Sequence, residues 1–349
     1  MRNVIYRGGD RCHFIFLGTV LVLVKITPNF TNMIKSKVIL LHILVLLMVS
    51  CNVNRPISPK NPSVENPLSI QQHLVEKNSI PKKAKPQMTY VARDIRVANY
   101  FDFMDGLAKK YDSLVPYALT EHVLVRANPW IMDTLANTDY YRQMAKDSFV
   151  YDQRKMIVLR AKDSLLIPDA ETGQQLIKDM ENTLIDINIP EYRLRIYQDS
   201  LLLYTFPIRV GQDRKRYLAM GDRVTDLRTK TGKGKIVRLE RNPSFYNPVT
   251  GKRFYVTRRD DKKTTIMPVI PWIETEINGI RNGQMIHPTT NPETLGKASS
   301  NGCIGVAEAD AWIIYYHAPL NTHVQIRYDL DILDENGEVQ KLKDIYNYQ

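Results

Sequence analysis

The chain has 349 residues, and its 48 Lys and Arg against 37 Asp and Glu give a formal net charge of +11 at pH 7. The basic residues are spread along the whole sequence, without a dense basic helix or an RNA-binding signature. This distribution argues against nucleic acid as a partner and indicates a solvated surface. The sequence contains no internal repeat.

The first 51 residues are predicted to form an export segment. A short basic stretch (33–37) precedes an apolar run (38–49) that is too short to span a bilayer but has the length of a signal-peptide core. The run ends shortly before Cys51 in a pattern that resembles a bacterial lipobox, where the cysteine is acylated and becomes the mature N-terminus. An ordinary cleaved signal or an apolar anchor is the alternative.

Residues 1–32 hold a second apolar run and do not fit this reading. We interpret them as an over-extended start, with Met33 as the true first residue; a long uncleaved anchor is the alternative. Residues 52–87 are rich in Pro, Asn, Ser and Lys, which predicts a semi-extended tether between a lipid anchor and a globular body. Beyond the tether we expect an accessory domain (88–183), a catalytic domain (184–330) and a C-terminal tail (331–349).

The accessory region shows the apolar spacing of helices and then of short strands. The predicted helices cover residues 91–111, 119–127, 131–145 and 171–183, and the predicted strands cover 156–159 and 164–168. Fragments at 106–111, 121–129 and 157–168 are faintly similar to LysM peptidoglycan-binding modules. A helical packing domain without a ligand is the alternative.

From residue 184 the apolar period changes to two, which predicts strands. They cover residues 184–189, 192–197, 201–210, 235–240, 253–257 and 322–328, with one helix at 308–317. Short strands separated by turn-rich loops are typical of an antiparallel sandwich or barrel.

A lone thiol is the main chemical feature of this half. An exported protein holds Cys303 in an oxidising compartment without a predicted disulfide partner, which favours a chemical role over a buried apolar one. His287 stands at the end of a predicted strand, and the loop of residues 289–299 can bring it beside Cys303. A neighbouring imidazole is what a thiol needs to become a nucleophile. His317 and His323 are rival bases.

The turn around the thiol has the composition of an oxyanion site. Gly302 allows the backbone to approach a substrate carbonyl closely, and its N–H together with that of Cys303 can face a developing negative charge. Ser300 and Asn301 complete this turn. No Cys/His pair outside His317 and His323 has ligand-type spacing, so neither a metal nor a cofactor is predicted.

Residues 184–330 resemble the YkuD catalytic domain of L,D-transpeptidases. The matching positions are His287, Gly296, Ser300, Gly302, Cys303 and Ile304, supported by Gly211 and the segment 229–232. The resemblance implies a mostly β catalytic domain, a YkuD-like β-sandwich with one helix after the nucleophile. An α-rich or α+β accessory domain would precede it.

The resemblance also implies an activity. Cys303 would attack the carbonyl in a peptidoglycan tetrapeptide stem with His287 as base, D-Ala would leave, and an amine would accept the acyl group. Water as acceptor would give an L,D-carboxypeptidase, and a protein amine would give attachment to the wall. A non-catalytic peptidoglycan-binding lipoprotein is the alternative outside enzymes. A lipid anchor would hold the protein on a membrane, facing the periplasm; its oligomeric state stays open.

Three positions depart from the family pattern. Asn301 replaces the usual His of the turn, and Pro288 replaces Gly or Ser, so a backbone carbonyl is expected to orient His287 instead. Gly305 stands where Arg or Asn is usual, which leaves recognition of the substrate carboxylate without a residue. Arg281 is the predicted substitute, and Trp272 is predicted to border the cleft.

Overall fold

A computed structural model describes residues 86–334 and 336–348. The predicted export segment with Cys51, the residues before Met33 and almost all of the tether lie outside this part of the chain. All the described residues belong to one compact unit. Their helices are all too short or too polar to cross a bilayer.

The described residues contain six α-helices. They are α1 (Tyr100–Asp112), α2 (Glu121–Ala127), α3 (Trp130–Ala136), α4 (Tyr140–Met144), α5 (Ala170–Glu181) and α6 (Glu308–His317). The helix predicted over 131–145 is two helices, because the Asp139 side chain accepts hydrogen bonds from the N–H groups of Tyr141 and Arg142 and starts a new helix there. The helix predicted from residue 91 begins only at Tyr100, after a short strand and a 3-10 turn.

The described residues also contain twenty short strands. In the N-terminal region these are β1 (Gln87–Tyr90), β2 (Ile95–Arg96), β3 (Ile157–Leu159) and β4 (Ser164–Ile167). The next group is β5 (Thr183–Asn188), β6 (Arg193–Gln198), β7 (Leu201–Pro207), β8 (Val210–Gly211), β9 (Lys215–Leu218), β10 (Arg223–Asp226) and β11 (Gly232–Glu240). The last group is β12 (Val256–Arg258), β13 (Thr264–Ile266), β14 (Trp272–Ile277), β15 (Met285–Pro288), β16 (Ala298–Ser300), β17 (Ile304–Val306), β18 (His323–Arg327), β19 (Asp331–Leu333) and β20 (Val339–Lys341).

Eight of these strands form one sheet in the order β17-β15-β14-β11-β18-β5-β6-β7. The pairings are antiparallel except β15 with β17 and β18 with β5. The chain that leaves β7 reaches the opposite edge, where Arg209 forms an antiparallel bridge with Gly305 of β17. The prediction of a mostly β C-terminal domain after a helix-containing N-terminal region is confirmed.

The main hydrophobic core contains residues from both regions. Helix α6 places Trp312, Tyr315 and Tyr316 in it, and all three are essentially inaccessible to solvent. Tyr316 donates to the Tyr100 hydroxyl of α1 at 2.8 Å, and the His122 ring of α2 lies 3.0 Å from the Tyr315 carbonyl oxygen. The N-terminal helices therefore pack on the helix that follows the predicted nucleophile.

The segment after residue 330 also contacts the sheet. Strands β19 and β20 pair with each other, and Tyr346 is buried. Its hydroxyl donates to the Gly211 carbonyl at 2.9 Å and accepts from the Thr229 N–H at 3.1 Å. Thr229 in turn contacts the turn that carries Cys303, so the end of the chain supports that turn.

Candidate active site

His287 and Cys303 lie in neighbouring chain segments of the sheet. His287 belongs to β15, and Cys303 immediately precedes β17. These strands are parallel, with Ile286 opposite Ile304 and His287 opposite Gly305. Cys303 stands two residues before Gly305 and belongs to the same apolar cluster as Trp272, on which the His287 ring stacks.

The turn before Cys303 is held by side-chain hydrogen bonds. The Ser300 hydroxyl accepts from the Gly302 N–H at 3.1 Å and donates to the Cys303 carbonyl. The Thr229 hydroxyl donates to the Gly302 carbonyl at 3.0 Å and accepts from the Gly211 N–H at 2.8 Å. Gly302 has φ of 110°, which only glycine adopts without strain. The Gly302 N–H, which is expected from the sequence to face a substrate oxyanion, therefore donates to the Ser300 hydroxyl in this structure.

A cleft of about 570 Å³ opens above this turn. Asn301, Gly302 and Cys303 line it on one side, and residues 282–284 lie beside them. The opposite wall is the hairpin β9–β10 with the residues that follow it. Its charged groups are Arg223, Asp226, Arg228 and Lys230. Asp226 is paired with both Arg228 and Lys230, so the wall has a cationic excess.

The His287 imidazole is buried and fixed on two sides. Its Nδ1 lies 2.9 Å from the Pro288 carbonyl oxygen, and its ring stacks on Trp272 with centroids 4.4 Å apart. A carbonyl oxygen only accepts, so Nδ1 carries the proton and Nε2 keeps its lone pair. Burial, together with the positive charge of Arg209, lowers the pKa of His287 to about 3. The ring is therefore a neutral base at physiological pH.

The Cys303 thiol lies at the floor of the cleft, 4% exposed. It belongs to a small apolar cluster with Phe245, Met267, Trp272 and Met285. Burial raises the pKa of Cys303, and the Met285 N–H and the Arg209 charge offset part of that increase. The resting group is thus a protonated thiol, which needs a base at the moment of attack.

The sequence reasoning missed Arg209. Its side chain is buried against Gly305, and its charge acts on both Cys303 and His287. Arg209 lies 94 positions before the thiol, so no local motif connects them. The available signal was an arginine between Ile208 and Val210, in a strand end whose neighbours are apolar.

The other predicted residues occupy different places. Arg281 is half exposed, pairs with Glu274 at 2.9 Å and does not line the cleft. Trp272 is buried beneath the imidazole instead of standing at the rim. His317 ends α6, where its Nδ1 lies 2.9 Å from the Ile313 carbonyl, and His323 is exposed on β18. In the described ranges, no group of three or more His, Cys, Asp or Glu is arranged to hold a metal ion.

Comparison with known proteins finds one family model that matches the region containing this site. A profile of the L,D-transpeptidase catalytic domain, YkuD, matches residues 182–326. A search of curated proteins gave no match.

Among solved structures, the L,D-transpeptidase from Mycobacterium smegmatis is 13% identical at a TM-score of 0.30. The match covers 42% of this chain and 58% of that one, so the chain spans less than two thirds of that relative. L,D-transpeptidase 3 from Mycobacterium tuberculosis, in complex with a faropenem-derived adduct, is 14% identical at a TM-score of 0.29, over 42% and 60% of the two chains. The L,D-transpeptidase from Xylanimonas cellulosilytica is 12% identical at 0.31, over 68% and 98%.

The profile match contains the whole predicted site, from His287 through Cys303 to the end of α6. It also begins within two residues of the position where the apolar period changes to that of strands. Residues 182–326 are therefore a YkuD-type L,D-transpeptidase catalytic domain.

Proposed function

We propose that the protein is a peptidoglycan L,D-transpeptidase with Cys303 as its nucleophile and His287 as its base. The observation that carries the proposal is a free thiol that lines a cationic cleft and shares an apolar cluster with Trp272, on which a neutral, oriented imidazole stacks. A thiol that lines a cleft, with a base on the neighbouring strand, is the arrangement expected of a covalent acyl-transfer site.

The first half-reaction forms a thioester. The Cys303 sulfur attacks the carbonyl carbon that precedes the terminal D-Ala of a tetrapeptide stem, and His287 Nε2 takes the thiol proton. Collapse of the tetrahedral intermediate breaks the C–N bond, and the imidazolium returns its proton to the departing amine of D-Ala. Because His287 begins neutral, it accepts this proton without first losing one.

The second half-reaction releases the acyl group. An acceptor amine attacks the thioester carbon, and His287 takes the amine proton. The C–S bond then breaks, and the imidazolium gives this proton to the leaving sulfur, which regenerates the thiol and the neutral imidazole. An amine from a second stem gives a crosslink. Water gives an L,D-carboxypeptidase product, and an amine on a protein gives attachment to the wall.

The cleft suits an anionic peptide. Arg223, Arg228 and Lys230 place three positive charges against the one carboxylate of Asp226 along its hairpin wall. Peptidoglycan stems carry free carboxylates, which such a wall attracts. We assign stem recognition to this wall, because Arg281 is already paired with Glu274 outside the cleft.

The proposal includes the cell envelope as the site of action. Acylation of Cys51 would anchor the protein on a membrane, and the tether would let the body reach the wall from the periplasmic side. The LysM-like reading of the N-terminal region stays a prediction of glycan contact.

The test measures covalent capture and turnover on the same protein. We expect intact-mass analysis after incubation with a carbapenem to reveal an acyl adduct that is absent in Cys303→Ala. With a purified disaccharide-tetrapeptide, the wild type should release D-Ala and form a crosslinked dimer. His287→Ala should slow acylation by roughly 10²- to 10⁴-fold.

His323→Ala is the matched control, since His323 is exposed on β18 and does not line the cleft. It should acylate at the wild-type rate. An adduct that persists in Cys303→Ala, or equal slowing by the two histidine variants, would refute the assigned roles. Binding to purified sacculi without any adduct or D-Ala release would instead identify a non-catalytic wall-binding protein.

A further inference from the structure

Arg209, in the segment that follows edge strand β7, forms a backbone bridge with Gly305 of β17, the strand at the opposite edge of the large sheet. The Arg209 N–H donates to the Gly305 carbonyl at 2.9 Å, and the Gly305 N–H donates to the Arg209 carbonyl at 3.0 Å. The Arg209 side chain then runs across the face of Gly305. A Cβ at residue 305 would overlap its Nε and would stand 2.7 Å from its Cγ. Gly305 therefore leaves the space that the Arg209 side chain occupies.

The guanidinium in this space is buried, and no carboxylate of the described residues lies within ion-pair distance of it. Arg209 is 8% exposed, and its Nε has no hydrogen-bond partner among the described residues. Its Nη1 donates to the Thr294 hydroxyl at 3.4 Å. A buried charge is expensive unless an anion or several hydrogen bonds compensate for it.

We propose that Arg209 is a positioning residue that acts through Cys303, because its guanidinium is the counter-ion of the Cys303 thiolate. Arg209 comes from the segment between β7 and β8 and places this positive charge in the space that Gly305 leaves open. The inference rests on Cys303 being the nucleophile of the proposed function. It explains why a glycine stands two residues after the thiol. A side chain at residue 305 and the observed Arg209 conformer exclude each other.

Three titratable groups face the guanidinium. They are Cys303 before β17, His287 on β15 and Asp260 in the loop after β12. The carboxylate of Asp260 already accepts from the Asn291 side chain at 2.8 Å and from the Glu293 N–H at 2.9 Å. Cys303 is the one of the three that gains a negative charge during the reaction, so its ionisation completes the pair.

The same charge has a defined effect on both catalytic groups. It lowers the pKa of Cys303, which burial raises, and it adds to the burial that lowers the pKa of His287. Removing the charge should raise the pKa of both groups. Merely loosening the site would expose both, which would lower the pKa of the thiol while raising that of the imidazole. The direction in which the thiol moves therefore separates an electrostatic role from a structural one.

The experiment follows alkylation of Cys303 by iodoacetamide in the full chain as a function of pH. This neutral reagent is not steered by charge, and mass spectrometry of the Cys303 peptide separates its modification from that of other cysteines. We expect Arg209→Met to raise the pH of half-maximal alkylation by about one unit or more and to slow alkylation about tenfold at neutral pH. Arg209→Lys should retain most of the wild-type profile.

Gly305→Ala tests the space instead of the charge. Its Cβ should displace the guanidinium and move the profile in the same direction as Arg209→Met. The double variant Arg209→Ala/Gly305→Arg returns a guanidinium from the opposite strand and should bring the profile back toward wild type.

An unchanged or lowered inflection in Arg209→Met overturns the proposal. If that variant does not fold, as judged by circular dichroism, the Gly305→Ala profile decides by the same criterion. Alkylation needs no peptide substrate, so the two proposals fail separately. A normal Arg209 effect without transpeptidation would overturn only the proposed function, and transpeptidation without an Arg209 effect would overturn only this inference.

Discussion

At the scale of single residues, the site combines a thiol and an imidazole that are both neutral at rest. Burial disfavours the charged form of each, so the proposed reaction would begin with neutral groups and create the charges during attack. The stack of His287 on Trp272 and its bond to the Pro288 carbonyl fix the ring before substrate arrives. The expected backbone carbonyl is thus present, in the residue directly after the histidine.

Burial of a neutral His287 makes stability depend on pH in a predictable direction. Its pKa is about 3 in the folded protein and ordinarily near 6.5 in an unfolded chain, so between these values the unfolded state binds the extra proton. Stability is therefore lost as the pH falls below about 6.5. From pH 7.5 to pH 5 this one group should remove about 2 kcal/mol.

Urea unfolding of the wild type and of His287→Asn at both pH values tests this expectation. All other titrating groups are common to the two proteins, so their difference isolates His287. The wild type should lose about 2 kcal/mol more than His287→Asn on acidification. Parallel losses in the two proteins would mean that the imidazole is already accessible to protons in the folded state.

At the scale of elements, the β9–β10 hairpin contributes a charged wall of the cleft. Arg223 starts β10 and lines the cleft, whereas Arg216 of β9 belongs to the same hairpin but does not line it. The charge of Arg223 should therefore act on substrate, and that of Arg216 should not.

We expect Arg223→Gln to raise KM for a tetrapeptide stem about two- to fivefold with little change in kcat, because one solvent-exposed charge pair contributes up to about 1 kcal/mol. Steady-state kinetics at low and high salt provide the measurement, and the effect should shrink as salt screens the charge. Arg216→Gln is the matched control. Equal effects of the two variants would show that the hairpin acts only through its overall charge or its fold.

The sequence predicts the bounds of some helices and strands more accurately than those of others. Helix α6 was predicted with the bounds that it has, because its apolar run is closed by Ala318-Pro319. The strand predicted over 201–210 divides into β7 and β8, because the chain leaves the sheet at Pro207 and crosses to the other edge. A period-two pattern continues through such a crossing and does not reveal it.

At the scale of the whole molecule, buried polar groups join the N-terminal helices to the catalytic region. Glu308 at the start of α6 pairs with the buried Arg259 and accepts from the Gln153 side chain at 2.8 Å and from the Tyr140 N–H at 3.1 Å. Asp139 accepts from the Ala309 N–H at 2.9 Å. The helix after the nucleophile is therefore held at its N-terminus by residues from far earlier in the chain.

Glu308→Gln should weaken this connection and leave the Arg259 charge buried and uncompensated. We expect a loss of about 3 to 5 kcal/mol in the free energy of unfolding. Because the core is shared, far-UV circular dichroism and Cys303 alkylation should report one coincident transition at lower urea.

The double variant Glu308→Gln/Arg259→Met removes both charges and should recover part of the loss. Two separate transitions, in which Cys303 becomes reactive at a different urea concentration from the loss of helical signal, would contradict the coupling of the two regions.

The sequence by itself determined the β character of the C-terminal half and singled out Cys303 and His287 as the proposed reactive pair. Alternation of apolar residues encodes strands locally, and a thiol after glycine with an upstream histidine carries its chemistry within a short motif. Tertiary structure alone decided that Arg209 lies against Gly305, two residues after Cys303, that Trp272 lies beneath His287 and that Tyr346 supports the turn through Thr229. These contacts join residues far apart in the chain, and they arise from strand order and register, which a local pattern of side chains does not specify.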